Sequence, residues 1–475
     1  MKGEFFIKFT IGVRNTSILF ILFFQSCSIN VKKNQLHKVI VEGNYTEANK
    51  ILDKKYRSEH SGRNKLLYYM DRGIVAYLNK DYSHSNEFFN LADNIHEDQT
   101  KNFGDILLKY TLNPSLTTYL GEDHEIFFVH YYKALNYLAL GEIDEALVEC
   151  RRLNTELEVL SDKYKDQKNY YSRDAFAHTL MGIVYQAAHD YDNAFIAYRN
   201  AVEIFEDPEY QKMFKVPMPK QLQKDIIFVA YKLFDRDNVN FYKQKFGLQD
   251  YNPAKENKNG GDLVCFWNNG TAPKKKSSSL TFFVVRTGDV ITFSNVELGL
   301  YFCFPFPADE DFNLEILRVA FPEYKKSFSI IDRGFLKIDD TVYELERLED
   351  VNRVAQKTLS ERRHYELGQT LLRLAVKKSS EIFLRKTNEY LGMALGLFNA
   401  LTEKADTRHW ENLPFEISYT RVRLPEGNHI VKLVPDFNDK VTYKILKRFN
   451  VDSEEVTIKK GKTTFLQFNT LFGSR

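Results

Sequence analysis

Gly43-Asn44-Tyr45-Thr46-Glu47-Ala48, Lys80-Asp81-Tyr82-Ser83-His84-Ser85, Gly141-Glu142-Ile143-Asp144-Glu145-Ala146 and His189-Asp190-Tyr191-Asp192-Asn193-Ala194 align without gaps, and each joins two amphipathic stretches. Recurrence of this kind decides the fold, because a helix pair closed by a tight turn buries its apolar face only by stacking on the next pair. A small residue lies seven positions before three of these turns (Gly73, Ala134, Gly182), and a small or apolar one twelve after (Ala92, Leu153, Ala201). Small side chains there let antiparallel helices approach closely. Leu52, Phe89, Cys150 and Tyr198, nine after the turn start, are expected to fill the gap between pairs.

The pattern resembles the tetratricopeptide repeat. Residues 172 to 208 match it best, with Gly182, Tyr185, Tyr191, Ala194, Tyr198, Ala201 and a helix-ending Pro208 in register. The turn positions are 37 (Tyr45 to Tyr82), 61 (Tyr82 to Ile143) and 48 (Ile143 to Tyr191) residues apart, against a unit of ~34 residues. The repeats are therefore interrupted. The largest excess contains Phe103 to Glu125, with Asn113-Pro114-Ser115 and Tyr119-Leu120-Gly121-Glu122-Asp123, and is a candidate functional loop. The resemblance implies a curved array whose inner face, lined by the first helix of each pair, offers a groove for a protein or peptide. The alternative is a groove filled by the chain's own insertion or C-terminal domain.

Residues 252 to 262 are polar and broken by Pro253, Gly260 and Gly261, which reads as a linker. Short alternating apolar runs follow: Leu263 to Trp267, Leu280 to Arg286, Val290 to Ser294, Leu314 to Phe321 and Val342 to Leu345, all predicted strands. Asn268 to Ser279 reads as a flexible connection whose Lys274-Lys275-Lys276 is a solvated loop, with a basic surface contact as the alternative. Helical periodicity returns from Glu349 to about Lys404, enough for two or three helices. Phe415 to Leu424 and His429 to Val434 flank a hairpin-type Pro425-Glu426-Gly427-Asn428, and Val456 to Ile458 and Thr463 to Phe468 flank a second turn. These suggest a small antiparallel sandwich. The fold class is α + β multidomain: a tetratricopeptide-like all-α helical repeat array over 33–250, a linker over 251–262, and an α+β domain over 263–475. That last domain has antiparallel strands, a helical insertion at about 349–405 and terminal β hairpins within 415–468.

At 475 residues, 43% of them hydrophobic, the chain has apolar mass for packed cores and is not a disordered protein. Lys2, Lys8 and Arg14 precede the apolar run Ile18 to Phe24 and then Gln25-Ser26-Cys27, the layout of a signal peptide over 1–26 and too short for a permanent span. A cysteine after a small residue at this place resembles a bacterial lipobox, which implies lipidation of Cys27. The alternative is an ordinary cleaved secretory signal. Ser28-Ile29-Asn30 lacks an Asp, and by resemblance to lipoprotein sorting this implies an outer membrane lipoprotein facing the periplasm. Removal of the segment leaves 63 basic and 63 acidic residues. A neutral chain without a basic stripe argues against nucleic acid as a partner. Cys150, Cys265 and Cys303 form no C-x-x-C pair and no metal-ligand spacing with His, so no metal is expected. Cys265 and Cys303 are expected as buried free thiols, with a disulfide between them as the alternative.

H-E-x-x-H, G-x-S-x-G, a P-loop, G-x-G-x-x-G after a strand and a Cys-His pair are all absent, so no enzyme and no cofactor is expected. Several blocks are similar to a largely uncharacterised group of bacterial lipoproteins in which tetratricopeptide-like repeats precede a β-rich C-terminal domain. They are Tyr119 to Glu122, Tyr131 to Leu138, Glu149-Cys150-Arg151-Arg152-Leu153-Asn154, and Ala405-Asp406-Thr407-Arg408-His409-Trp410 with Leu413-Pro414. The resemblance implies an accessory or scaffold role in cell-envelope assembly, with an envelope protein or peptide as partner and the membrane reached through the lipid anchor. Arg151 and Arg152 fit the group's Glu-x-Arg-Arg stretch or a helix-surface ion network. A SusD-like glycan-binding lipoprotein is the second reading, although only 2 residues are Trp. A carboxylate-dependent glycan hydrolase stands third.

Asp406, Arg408, His409 and Trp410 crowd the passage from helix to the strand carrying Arg421 and Arg423. They form either a ligand site, with Arg408 on an anion and Trp410 on a ring, or a structural lock in which Asp406 pairs with Arg421 and Trp410 plugs a gap. The reading of the N-terminus has a direct test. Cys27→Ser should abolish incorporation of a fatty-acid analogue in labelled cells, and label retained on the variant excludes acylation at this residue.

Overall fold

A computed structural model describes residues 35–59, 62–101, 117–163, 173–256, 260–305, 315–325, 328–387, 405–437 and 453–471. Cys27 with the rest of the signal segment and Asn113-Pro114-Ser115 lie outside the described residues. The chain is mixed α and β: a helical half followed by a half with two sheets.

The helices pair as the turns require. A helix over 35–41 (α1) meets α2 (Tyr45–Glu59); α3 (Lys65–Leu78) meets α4 (Tyr82–Lys101); α5 (Asp123–Leu140) meets α6 (Ile143–Lys163); and α7 (Ala175–Ala187) meets α8 (Tyr191–Glu206). After the short α9 (Pro208–Phe214), a fifth pair, α10 (Lys220–Lys232) and α11 (Arg236–Phe246), uses the same turn at Phe234-Asp235-Arg236-Asp237-Asn238. The five turns open on left-handed residues, with φ of 71° at Gly43, 60° at Lys80, 79° at Gly141, 62° at His189 and 57° at Phe234. That conformation lets two successive amides bond back to the ending helix: His189 N to Gln186 O at 3.1 Å and Asp190 N to Tyr185 O at 2.9 Å. The second residue then caps the next helix. Asp190 Oδ1 accepts from Asn193 N at 3.2 Å, and Asp235 Oδ1 accepts from Asn238 N at 3.0 Å. Two residues thus end one helix and start another. The fifth turn escapes the sequence pattern because a phenylalanine holds its left-handed position and an arginine follows its capping Asp.

Gly73 and Gly182 sit where the helices of one pair touch. A Cβ on Gly182 would lie 2.4 Å from the Tyr198 ring, and one on Gly73 would lie 2.5 Å from Phe89. These two rings nine residues after the turn therefore pack within a pair, and Phe89 also stacks on Tyr132 of the next pair, 5.9 Å away, as expected.

The second half holds β1 (Gly261–Asn269), β2 (Lys275–Thr287), β3 (Val290–Asn295), β4 (Leu300–Pro305), β5 (Glu315–Tyr324), β6 (Ile331–Ile338), β7 (Thr341–Glu349), β8 (Glu416–Leu424), β9 (Gly427–Phe437), β10 (Ser453–Ile458) and β11 (Thr463–Thr470). A seven-stranded sheet runs β10-β9-β6-β7-β8-β1-β11, and a four-stranded one runs β4-β3-β2-β5. The expected terminal hairpins do not form. β8 pairs with β1 and β7, β9 pairs with β6 and β10, and β11 lies parallel to β1. Local turn residues bring those strands close, but pairing follows the apolar faces they must bury. Nor is the arrangement a sandwich. The large sheet curls until its outer strands meet, with Thr464 Oγ1 donating to Thr457 O at 3.3 Å, around Leu263, Cys265, Trp267, Leu336, Val431 and Ile458.

Other expectations shift. The linker contains a helical turn, α12 (Pro253–Glu256), and its last residues already belong to β1. Asn268 to Ser279 is largely strand, leaving five connecting residues. Val351–Thr387 is one long helix, α13, which packs Leu367 and Leu371 on the inner face of the four-stranded sheet. The strand β6 escaped reading because Asp332-Arg333-Gly334 looks like a turn. Gly334 is there because the Trp267 ring occupies the place of its side chain, 2.4 Å from where a Cβ would sit. Cys150 and Cys265 are buried free thiols, while Cys303 is free but exposed.

The helix contact supplies a prediction. Gly182→Leu forces the Tyr198 ring aside and should cost about 1–3 kcal/mol as overpacking, read as a lowered unfolding midpoint. An unchanged midpoint would contradict this contact.

Candidate functional site

The inner face of the array is filled by the chain itself. Val264, Phe266 and Asn268, on one face of β1, and Ile417 and Tyr419 of β8 share a core with Tyr77, Tyr131, Tyr132 and Tyr198 of the helices. Asn268 is fully buried at the centre. Its Oδ1 accepts from Tyr131 OH at 2.9 Å, and its Nδ2 donates to Tyr77 OH at 3.2 Å. Burial pushes both phenols well above their ordinary range, so both stay protonated, Tyr131 donating to Asn268 and Tyr77 accepting from it. Of the two expectations for the groove, the self-occupied one describes this fold.

Tyr119, Glu122, Asp406, Arg408 and Trp410 come together at the start of α5. Tyr119 OH donates to Glu125 Oε2 at 2.5 Å, the Glu122 amide donates to the same oxygen at 3.0 Å, and the Trp410 amide donates to Glu125 Oε1 at 2.6 Å. Burial, with the charge of Glu122, raises the Glu125 carboxyl to about 7. Glu122 caps α5 and pairs with Lys275 of β2 and Arg362 of α13. Burial opposes its charge, but the two cations outweigh that and hold the carboxyl well below its usual range. Lys275, expected in a solvated loop, is a strand residue with its side chain only 3% exposed. A cavity of about 270 Å³ opens beside this cluster, bordered by Thr118, Glu366 and Arg408.

Asp406 does not pair with Arg421. It holds Arg408, two residues on, with Oδ2 2.5 Å from Nη2 and Oδ1 accepting from Nε at 2.9 Å. The segment from 405 to 410 is neither helix nor strand, and the Arg408 amide also donates to Asp406 Oδ1 at 3.0 Å. Arg408 Nη1 also donates to Asn64 Oδ1 at 3.0 Å and Thr117 O at 2.9 Å, tying α3, the insertion and this segment together. Trp410 is 1% exposed, with its ring 5.9 Å from Phe89 and 5.8 Å from Tyr132. Trp410 fills the gap that the lock reading gave it, but the Asp406–Arg421 pair of that reading is absent, and Asp406 and Arg408 border the cavity. Arg421 instead faces α10, its Nε 3.1 Å from Asp225 Oδ1 and its Nη2 donating to Tyr198 OH at 3.1 Å.

Arg151 and Arg152 lie away from this cluster. Arg152 Nη1 is 2.7 Å from Asp93 Oδ2, and Asp93 continues through Lys133 to Glu149 and His130. Only the arginine end of this network is at the surface, since Lys133 is 1% exposed. Arg151 is exposed and bonds toward Tyr185 of the next pair. Sequence reasoning missed Glu125, Lys275 and Arg362. Two signals pointed to them: the three-residue spacing of Glu122 and Glu125, which forms a capping box, and the Arg362–Glu366 pair four apart on one helix.

Trp410→Ala opens a large cavity between helices and sheet and should cost about 3–5 kcal/mol. Calorimetry checks it, and a loss below about 1 kcal/mol would show that the ring does not hold the junction.

No protein-family model matches the chain, and no curated protein matches it. Among solved structures the chain is similar to BtubC (BKLC) from P. vanneervenii, at 13% identity and a TM-score of 0.33, over 47% of this chain and 82% of that one. It is similar to MamA AMB-1 at 10% identity and a TM-score of 0.29, over 46% and 90%. NprR in complex with its cognate peptide NprX shares 17% identity at a TM-score of 0.19, over 45% and 65%.

Proposed function

We propose that this chain is a protein-binding scaffold of the bacterial cell envelope, held to the outer membrane by a lipid on Cys27 and facing the periplasm. Its partner surface, in this reading, is the outer face of the four-stranded sheet rather than the inner face of the array. The observation that carries the reading is the row of side chains across that sheet. Tyr301 stands opposite Ser294, Ser294 opposite Phe283, and Phe283 opposite Ile316. Tyr301, Phe283 and Ile316 are 62%, 43% and 68% exposed. Val285 and Val290 extend the patch, while α13 covers the opposite face of the same sheet.

Aromatic and branched aliphatic side chains grouped in this way, with Asp289 and Arg318 of opposite sign nearby, have the make-up of a protein interface core. The occupant that suits them is a folded envelope protein with an apolar patch of its own. Sugar platforms use open flat aromatics, and both tryptophans, Trp267 and Trp410, are buried. Binding, not catalysis, is the role proposed.

The double variant Phe283→Asp with Ile316→Asp should keep the wild-type unfolding midpoint. It should also lose the envelope proteins that crosslink to the wild-type chain in cells. An unchanged crosslinking pattern from a folded variant would refute the sheet as the docking face.

A further inference from the structure

A second cavity, of about 460 Å³, lies where the start of α10 meets the strands β7 and β8. Lys220 and Lys224 of α10, Arg421 and Arg423 of β8, Asp262 of β1, and Glu344 and Glu346 of β7 border it. Arg421 and Arg423 are two apart on one strand and so share a face. Asp225, 3.1 Å from Arg421 Nε, and Asp262 are the carboxylates nearest to them. Asp262 serves both, 2.9 Å from Arg423 Nη1 and 3.7 Å from Arg421 Nη1. Glu346 keeps its negative charge at the cavity edge while its two oxygens accept the amides of Lys220 at 2.9 Å and Gln221 at 2.7 Å. Glu344 lies 3.8 Å from Arg333.

The guanidinium donors are also incompletely used. The Arg421 side chain is 6% exposed, yet its Nη1 makes no hydrogen bond among the described residues, and its Nε sits beside Asp225 at an angle that forms none. Arg423 Nε is likewise without an acceptor. Buried donors of this kind carry a desolvation cost that an acceptor removes. Burial and then Arg423 lower the pKa of nearby Lys232, while Asp262 raises it.

We propose that this cavity binds a phosphomonoester. Three guanidinium N–H groups lack acceptors, and a phosphoryl group brings three acceptor oxygens and close to two negative charges. A single carboxylate has only two acceptor oxygens and would leave one donor unmet. Planar arginine forks suit such an oxyanion, while Lys224 and Lys220 contribute compact charge from the helix side. The volume exceeds that of phosphate alone and leaves room for a sugar-sized group.

The test uses the full chain, titrated with inorganic phosphate while chloride holds the ionic strength constant. Phosphate should raise the unfolding temperature with saturation. Lys224→Gln and Arg423→Gln should each weaken apparent binding by about tenfold, the loss expected for one charge-assisted hydrogen bond. Lys224 forms none of the interface bonds described above, so its variant reads the site even where Arg423→Gln disturbs Asp262. Glucose 6-phosphate should bind at least as tightly as phosphate. The proposal is overturned if chloride alone reproduces the shift, if both variants bind as the wild type does, if acetate matches phosphate, or if glucose 6-phosphate is excluded.

Discussion

One strand, β1, has to be buried on both faces, and the architecture follows from that demand. Leu263, Cys265 and Trp267 fill the inside of the curled sheet, while Val264, Phe266 and Asn268 fill the inner wall of the helical array. A strand in that position allows no water on either side, so each polar atom it carries needs a partner within the protein. Asn268 meets the requirement with two tyrosines from different helix pairs and a third contact to Asn469. The helical half and the sheet half are therefore parts of one packed body. The array provides a wall for the sheet rather than an open receptor.

Charged contacts fix how the two halves dock. Glu122 with Lys275 and Arg362, Arg421 with Asp225, and Arg408 with Asp406 and Thr117 all join segments distant in sequence or guard the places where they meet. Buried ion pairs contribute little net stability, because desolvation offsets attraction, but leaving one member without its partner costs several kcal/mol. Their effect is to penalise every docking arrangement except the one that satisfies all of them. The Tyr119-Leu120-Gly121-Glu122 stretch acquires its meaning here. It clamps the start of α5 to a strand and to the long helix.

The helical half was legible because its information is local. A glycine or polar residue in the left-handed position, followed by a polar one, marks four of the five turns, and three of those also have a small residue seven positions earlier, so four of five could be read. The fifth was masked by Phe234, a residue seldom found with positive φ. The sheet half was legible as strands but not as a sheet. Pro425 to Asn428 looks like a hairpin turn, yet the strands on either side choose β1 and β6, partners set by tertiary burial rather than by the turn. The candidate cluster was half visible. Tyr119, Glu122, Asp406 and Arg408 stood out, whereas Lys275 hid in a run of three lysines that reads as solvent-facing. Nothing in that run distinguishes the one lysine that points inward, because the difference arises from strand alternation.

The parallel pairing of β11 with β1 bears on how the molecule is made. Trp267 Nε1 bonds to Thr470 Oγ1 across 203 residues, and Gln467 reaches Leu135 O on α5. Until that late strand has emerged, one side of β1 has no neighbour and the tyrosine-lined wall behind it is incompletely covered. Contacts of such separation are slow to form because the intervening chain must first be closed into a loop. A protein built this way passes through a stage in which a strand destined for burial on both faces is present but unsealed. Its exposed apolar surface, and with it the risk of association with other chains, is therefore greatest just before β11 pairs with β1.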